Sequence, residues 1–137
     1  MNSHALTIIT GASRGLGRAM AEQLLARPGQ RLLCISRQAD EQLAARAREA
    51  GAELEQWQQD LADPVQAAAR LAEWLQGLDG QAFDSVALIN NAGVVGRVRP
   101  LSQAVAAELS QALRVGLEAP LLLTSAFLGA TRSWRGD

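Results

Sequence analysis

The densest group of chemically suggestive residues is Thr10-Gly11-Ala12-Ser13-Arg14-Gly15-Leu16-Gly17. Its three glycines allow the main chain to turn sharply and to lie close against a ligand. If a helix opens there, its first N–H groups have no partner one turn back, and the positive end of its dipole favours a phosphate. Ser13 can contact that phosphate or cap the turn. A mononucleotide P-loop is excluded, because it requires Gly-Lys-Ser/Thr and the chain has no lysine. A tight strand-to-helix turn with no ligand is the plainer reading.

Ser36 and Arg37 stand 19 and 20 positions beyond Gly17. At that distance a dinucleotide site usually places an acid on the ribose 2′-hydroxyl, whereas an arginine accommodates a 2′-phosphate. A carboxylate would repel that phosphate; a guanidinium pairs with it through charge-assisted hydrogen bonds. The residues therefore predict NADP(H) in preference to NAD(H), with Arg14 as a second positive contact. The competing reading makes both of them solvated surface arginines.

Elements of the right kind flank these residues. His4–Thr10 and Arg31–Ser36 read as buried strands, Leu54–Gln59 as a less apolar one, and Ser85–Asn90 as a fourth. Gly15–Ala26 has helical spacing and ends at Pro28-Gly29. Asp40 is a plausible N-cap for a helix to Ala50, and Asp63-Pro64 opens another to about Gln76. A further helix is expected from Ser102, and Leu117–Ala130 is apolar nearly all round. Alternating strands and helices predict an α/β fold with right-handed crossovers and a parallel sheet covered on both faces.

Two more pieces fall at strand ends: Asp60-Leu61 after the third, and Asn90-Asn91-Ala92-Gly93 after the fourth. Together with Thr10–Gly17 they resemble the short-chain dehydrogenases/reductases, with T-G-x-x-x-G-x-G after the first strand and N-N-A-G after the fourth. LINNAGVVGRVRPLSQ looks most like the branch containing sepiapterin reductase and bacterial benzil reductases. The resemblance implies a Rossmann-type doubly wound parallel sheet, order 3-2-1-4, as a single partial NADP-binding domain over residues 1–137. It implies a cofactor site of Gly11, Ser13, Arg14, Gly15, Leu16, Gly17, Ser36, Arg37, Asp60, Leu61, Asn90, Asn91, Ala92 and Gly93, with Asp60 at the adenine edge and Asn90–Gly93 on the nicotinamide side. The implied activity is NADPH-dependent carbonyl reduction, with a small carbonyl compound as substrate.

The family's proton chemistry uses a Tyr, a Lys that lowers its pKa, and a Ser. This chain has neither Tyr nor Lys, and all 13 of its basic residues are Arg. The fifth strand, where the family carries its Ser, would lie beyond Asp137. No catalytic residue is therefore assigned, and the 137 residues are expected to be inactive on their own. A non-catalytic dinucleotide-binding or association module is the alternative. Gly116 stands where the family has Asn, in Val115-Gly116-Leu117-Glu118-Ala119-Pro120; Pro120 has no N–H to donate to the Gly116 carbonyl.

Composition narrows the rest. Net charge is −1. Residues 1–50 hold seven Arg against Glu22, Asp40, Glu41 and Glu49, a balance of +3 that is too weak for a nucleic-acid footprint. One Cys and one His make a metal site of those ligands improbable and fit a reducing cytoplasm. Apolar runs are shorter than a membrane span, and residues 1–30 lack a signal-peptide core. Cys34, Trp57 and Trp74 read as packing residues and His4 as surface. Arg135-Gly136-Asp137 resembles an adhesion motif by chance. A fold ending after four strands would leave the fourth as a bare edge and expose apolar helix surface around Leu121, Leu122, Leu123, Phe127 and Leu128, so self-association is expected.

Overall fold

The computed structural model describes residues 4–137. The first three residues of the segment searched for a leader lie outside the described residues.

Four strands form one parallel sheet: β1 (Ala5–Thr10), β2 (Gln30–Ser36), β3 (Glu53–Gln58) and β4 (Ser85–Ile89), in the order β3-β2-β1-β4. Ala5 lies opposite Gln30 of β2 and Ser85 of β4, so β1 is central. The helices α1 (Gly15–Leu25), α2 (Glu41–Ala50) and α3 (Pro64–Gln76) connect the strands in turn. Caps set their boundaries. Asp40 Oδ1 accepts from the N–H groups of Gln42 and Leu43, and Gly51 ends α2 in the left-handed region at φ +66°. Asp63 caps α3, with Pro64 in its first turn.

Because strand side chains alternate, adjacent apolar residues serve opposite layers. Ile9, Leu32 and Cys34 pack with Leu43 and Ala47 on the α1–α2 side. Ile8, Leu33, Ile35 and Trp57 pack with Leu71, Leu75 and Leu123 on the other. Continuous burial along β1 and β2 is thus the mark of a sheet covered on both faces. Burial pushes the Cys34 thiol up to about 12, with Asp40 adding to the shift, so Cys34 is an inert core group.

The C-terminal third differs from expectation at three points. Ser102 lies in a short 3₁₀ turn, Leu101–Gln103, and does not open a helix; α4 begins later, at Ala106, and ends at Leu113. A π-helical turn, Arg114–Glu118, joins α4 to α5 (Ala119–Ala130). Pro120 cannot donate to the Gly116 carbonyl, and the Ala119 N–H reaches back five residues to Arg114, so the helix continues by widening locally. Together Ala106–Ala130 is a 25-residue helix, long and apolar enough by length and composition to cross a membrane, which counting uninterrupted apolar runs had not indicated. Val115, Ala119 and Leu123 are buried against the core, and α5 packs chiefly on α3. Leu113, Leu117 and Leu121 are 63%, 64% and 66% exposed, so only one side of this helix is covered.

The outer edge of β4 is not wholly bare. The Asp137 N–H donates to the Asp84 carbonyl (3.2 Å) and its carbonyl accepts from the Val86 N–H (2.6 Å), the bonding of a parallel neighbour. Trp134 stacks on Phe83, ring centroids 5.8 Å apart, and lies against Gly80, where a Cβ would meet its ring. Arg135 pairs with Asp84 at 2.9 Å. The Arg135-Gly136-Asp137 triplet is therefore fastened along the sheet and is not displayed on a loop.

Candidate functional site

The carboxyl ends of all four strands open on one cleft of about 610 Å³. Its walls come from the turn between β1 and α1, the end of β2, the segment after β3, the segment after β4, and α4 with the π turn. A crevice at this end of an open parallel sheet, where the strand order reverses around the central strand, is where doubly wound folds take their ligands.

Each glycine of the opening turn has its own reason. Gly11 has φ +71°, and a Cβ there would lie 2.8 Å from the Ala92 Cα, so the turn presses directly on the segment after β4. Gly17 faces inward: a Cβ would stand 2.2 Å from the Gly11 carbonyl oxygen and 2.5 Å from Asn91 Nδ2. Gly15 has φ +58°, yet a Cβ there would meet nothing within 4 Å. At Gly15 the left-handed backbone is what calls for glycine, whereas Gly11 and Gly17 allow close packing beneath the turn. Arg14 occupies the N-cap position of α1, and no side chain caps the helix. The N–H groups of its first turn are left for an incoming acceptor.

Thr10 and Asn91 lock the two signature turns together. Thr10 Oγ1 accepts from the N–H groups of both Asn91 and Ala92, each at 3.0 Å, and Asn91 Nδ2 donates to the Gly11 carbonyl at 3.2 Å. Ser36, almost fully buried, accepts from the Ala12 N–H through Oγ at 3.0 Å, tying the end of β2 to the same turn. Asp60 Oδ1 accepts from the Ala62 N–H at 2.9 Å, which fixes the carboxylate and leaves its other oxygen for a donor.

Gly11, Ser13, Arg14, Gly15, Ser36, Arg37, Asp60, Leu61, Asn91, Ala92 and Gly93 all line the cleft. Leu16, Gly17 and Asn90 do not: the Leu16 side chain is exposed, Gly17 lies under the turn, and Asn90 donates to Thr124 on α5 at 3.1 Å. Ser13 lines the cleft and provides no side-chain cap for α1. Ile35, Gln38, Gln59, Val94, Gln111 and Val115 also line it, and the motifs had not singled them out. Gln59 had no local signal, yet its amide is held by Arg70, Gln66 and the Asp60 carbonyl. Gln111 and Val115 arrive from the long helix, whose placement over the strand ends is a tertiary fact.

Arg14 and Arg37 set two positive charges on the cleft against the one carboxylate of Asp60. Among the described residues, the ion pairs involve other arginines, and neither Arg14 nor Arg37 has a carboxylate within 4.0 Å. No group of three His, Cys, Asp or Glu among the described residues is placed to hold a metal. The arrangement suits a long anionic ligand with its phosphates over α1 and a further anion near Arg37.

The family model for short chain dehydrogenase matches residues 5–136. A benzil reductase ((S)-benzoin forming) from Bacillus cereus is 32% identical over 130 residues, covering 95% of this chain and 52% of its own length. Sepiapterin reductase from Xenopus laevis is 37% identical over 134 residues, covering 90% of this chain and 49% of its own. The chain thus spans about half the length of these relatives. Among solved structures, a metagenomic short-chain oxidoreductase in complex with NADP superposes with a TM-score of 0.72 at 34% identity, over 94% of this chain and 57% of that one.

Proposed function

The chain belongs to the short-chain dehydrogenase family, and from that premise we propose that its cleft binds NADP(H) in preference to NAD(H), for hydride transfer between the nicotinamide and a carbonyl or alcohol carbon of a small substrate. The observation that carries the cofactor assignment is Arg37, with Arg14 lining the same cleft: two arginines without acidic partners, at the sequence position where a ribose 2′-substituent is read. The NADP complex of the similar metagenomic protein supports the same reading.

The cleft fits the group. Gly15 leaves open space where a side chain would obstruct the pyrophosphate, and Gly93 does the same at the opposite end. The first-turn N–H groups of α1 would take the pyrophosphate, Arg14 and Arg37 the 2′-phosphate, and the free Asp60 oxygen an amino group of the adenine. Asn91, Ala92 and Gly93, fixed by Thr10, would support the nicotinamide side. When bound, the nicotinamide supplies or accepts the hydride. With no Tyr and no Lys, these residues bind and orient the cofactor, and the proton transfer that accompanies carbonyl reduction is assigned to none of them. The 137 residues are accordingly proposed to be inactive alone.

Titration with NADPH and NADH tests the assignment. NADPH should bind more tightly, and Arg37→Ala should weaken NADPH about tenfold while leaving NADH nearly unchanged, as loss of one charge-assisted contact at an exposed site implies. Equal affinities in the parent would overturn it. A second reading, a dinucleotide-holding or association module without chemistry, is favoured by the same two absent residue types. The coding DNA beyond codon 137 separates the two: a continuation with Ser and then Tyr-x-x-x-Lys supports the reductase, and a stop codon the module.

We further propose a cytoplasmic setting, suggested by the lone buried Cys34, with neither nucleic acid nor membrane as partner and with self-association through the exposed leucines of α4 and α5.

A further inference from the structure

Arg37 lies on a three-residue bridge, Arg37–Ala39, between the end of β2 and the cap of α2, and all three residues are exposed. A flexible guanidinium selects a 2′-phosphate only if its backbone is held in place. At the near end, Ser36 is fixed twice: Oγ accepts from Ala12 and the carbonyl accepts from Gln59 (2.8 Å). At the far end, three elements converge on Asp40. The Gln56 amide on β3 grips its main chain with both atoms, Oε1 accepting from the Asp40 N–H at 2.8 Å and Nε2 donating to the Asp40 carbonyl at 2.9 Å. Its Oδ1 caps α2, and its Oδ2 pairs with Arg18 Nε at 3.1 Å.

Gln56 is the informative member. It shares a strand face with Leu54, which packs in the apolar layer beside α1 and α2. A polar side chain on that face is explained by the two main-chain groups it satisfies. Arg18 belongs to α1, the helix whose opening turn would take the pyrophosphate. The Arg18–Asp40 pair therefore links the two anion-binding parts of the cleft. Asp40 keeps 11% of its side-chain surface exposed and Arg18 31%, so the pair is only partly sheltered from screening, and Arg18 Nε also lies 3.3 Å from Glu22 Oε1.

We infer that Gln56, Asp40 and Arg18 form a clamp that positions Arg37, making Gln56 and Asp40 specificity-determining residues for the 2′-phosphate although neither lines the cleft. This inference rests on the NADP(H) reading above. The clamp acts on the discrimination between the two coenzymes. A helix cap alone would act on stability and leave the ratio of affinities untouched.

The test measures dissociation constants for NADPH and NADH on the 137-residue chain, as parent, Gln56→Met, Asp40→Asn and Arg37→Ala. Gln56→Met keeps the side-chain length and removes both main-chain bonds. Asp40→Asn keeps a capping oxygen and weakens the Arg18 pair. The clamp requires the NADPH preference to fall about fivefold or more in Gln56→Met and in Asp40→Asn, with NADH affinity close to the parent's. Should Gln56→Met fail to fold by circular dichroism, Asp40→Asn decides alone. If Arg37→Ala abolishes the preference and a folded clamp variant retains the parent ratio, the clamp is refuted and the coenzyme reading stands. If Arg37→Ala leaves the ratio unchanged, both fall together.

Discussion

Thr10 concentrates more consequence in one hydroxyl than any other side chain of the site. Its oxygen is the acceptor for two consecutive N–H groups after β4, and the residue itself is 1% exposed. Thr10→Val keeps the shape and strands both donors. We expect a loss of about 2–6 kcal/mol, at about 1–3 per unsatisfied donor, read as a lower urea midpoint; Thr10→Ser, which keeps the oxygen, should lie close to the parent. If valine and serine behaved alike, the hydroxyl would not be what joins the two turns. At this scale much of the site was legible. Gly11, Gly15, Asp60 and Asn91 each announce themselves by type and by position after a strand. Their division of labour was not legible, because whether a glycine faces a ligand or a neighbouring carbonyl depends on which segment packs beneath it. Asn90 makes the same point: it belongs to the motif, yet its amide is turned to Thr124 by the position of α5.

At the scale of elements, strands follow from short apolar runs and the early helices from helical spacing and caps, and their boundaries fall within a residue or two of the structure. The last third resisted for a physical reason. Ser102 has the chemistry of an N-cap, but the chain after Pro100 closes a 3₁₀ turn, with Gln103 donating to the Pro100 carbonyl, and Ala104 is extended. α4 then starts from Val105 with no side-chain cap, and no rule of local sequence finds such a start. The junction of β4 with the chain's last residues also has a pH signature. The Asp84 carboxylate accepts from the His4 N–H and from Arg135, which together hold its pKa below the usual 3.8. A depressed carboxylate stabilises the fold above its unfolded pKa and loses that contribution as pH falls through the folded value. Asp84→Asn should therefore be less stable than the parent near pH 6, and the difference should shrink below pH 4. The carboxylate is exposed, so the effect will be small and weakened by salt. A difference independent of pH would mean that the pair with Arg135 contributes nothing.

At the scale of the whole molecule, the helix from Ala106 to Ala130 carries an exposed apolar face. Leu109, Leu113, Leu117, Leu121 and Leu128 are all exposed along the helix from Ala106 to Ala130. Exposed leucines in such number on one helix are the surface through which self-association is proposed. Sedimentation or size-exclusion measurements should find dimers or larger species at micromolar concentration, and Leu117→Glu with Leu121→Glu should shift the population towards monomer. A parent that runs as a clean monomer would remove the basis for self-association. One further property follows from the placement of β1 between β2 and β4. Its partner residues on β4 begin 80 positions downstream, at Ser85 opposite Ala5. A ribosome adding about 5–20 residues per second needs roughly 4–16 s to cover that interval. Throughout that wait Ile8 and Ile9 would stand without one of their two flanking strands, a period in which a chaperone or another nascent chain could engage them before the sheet closes.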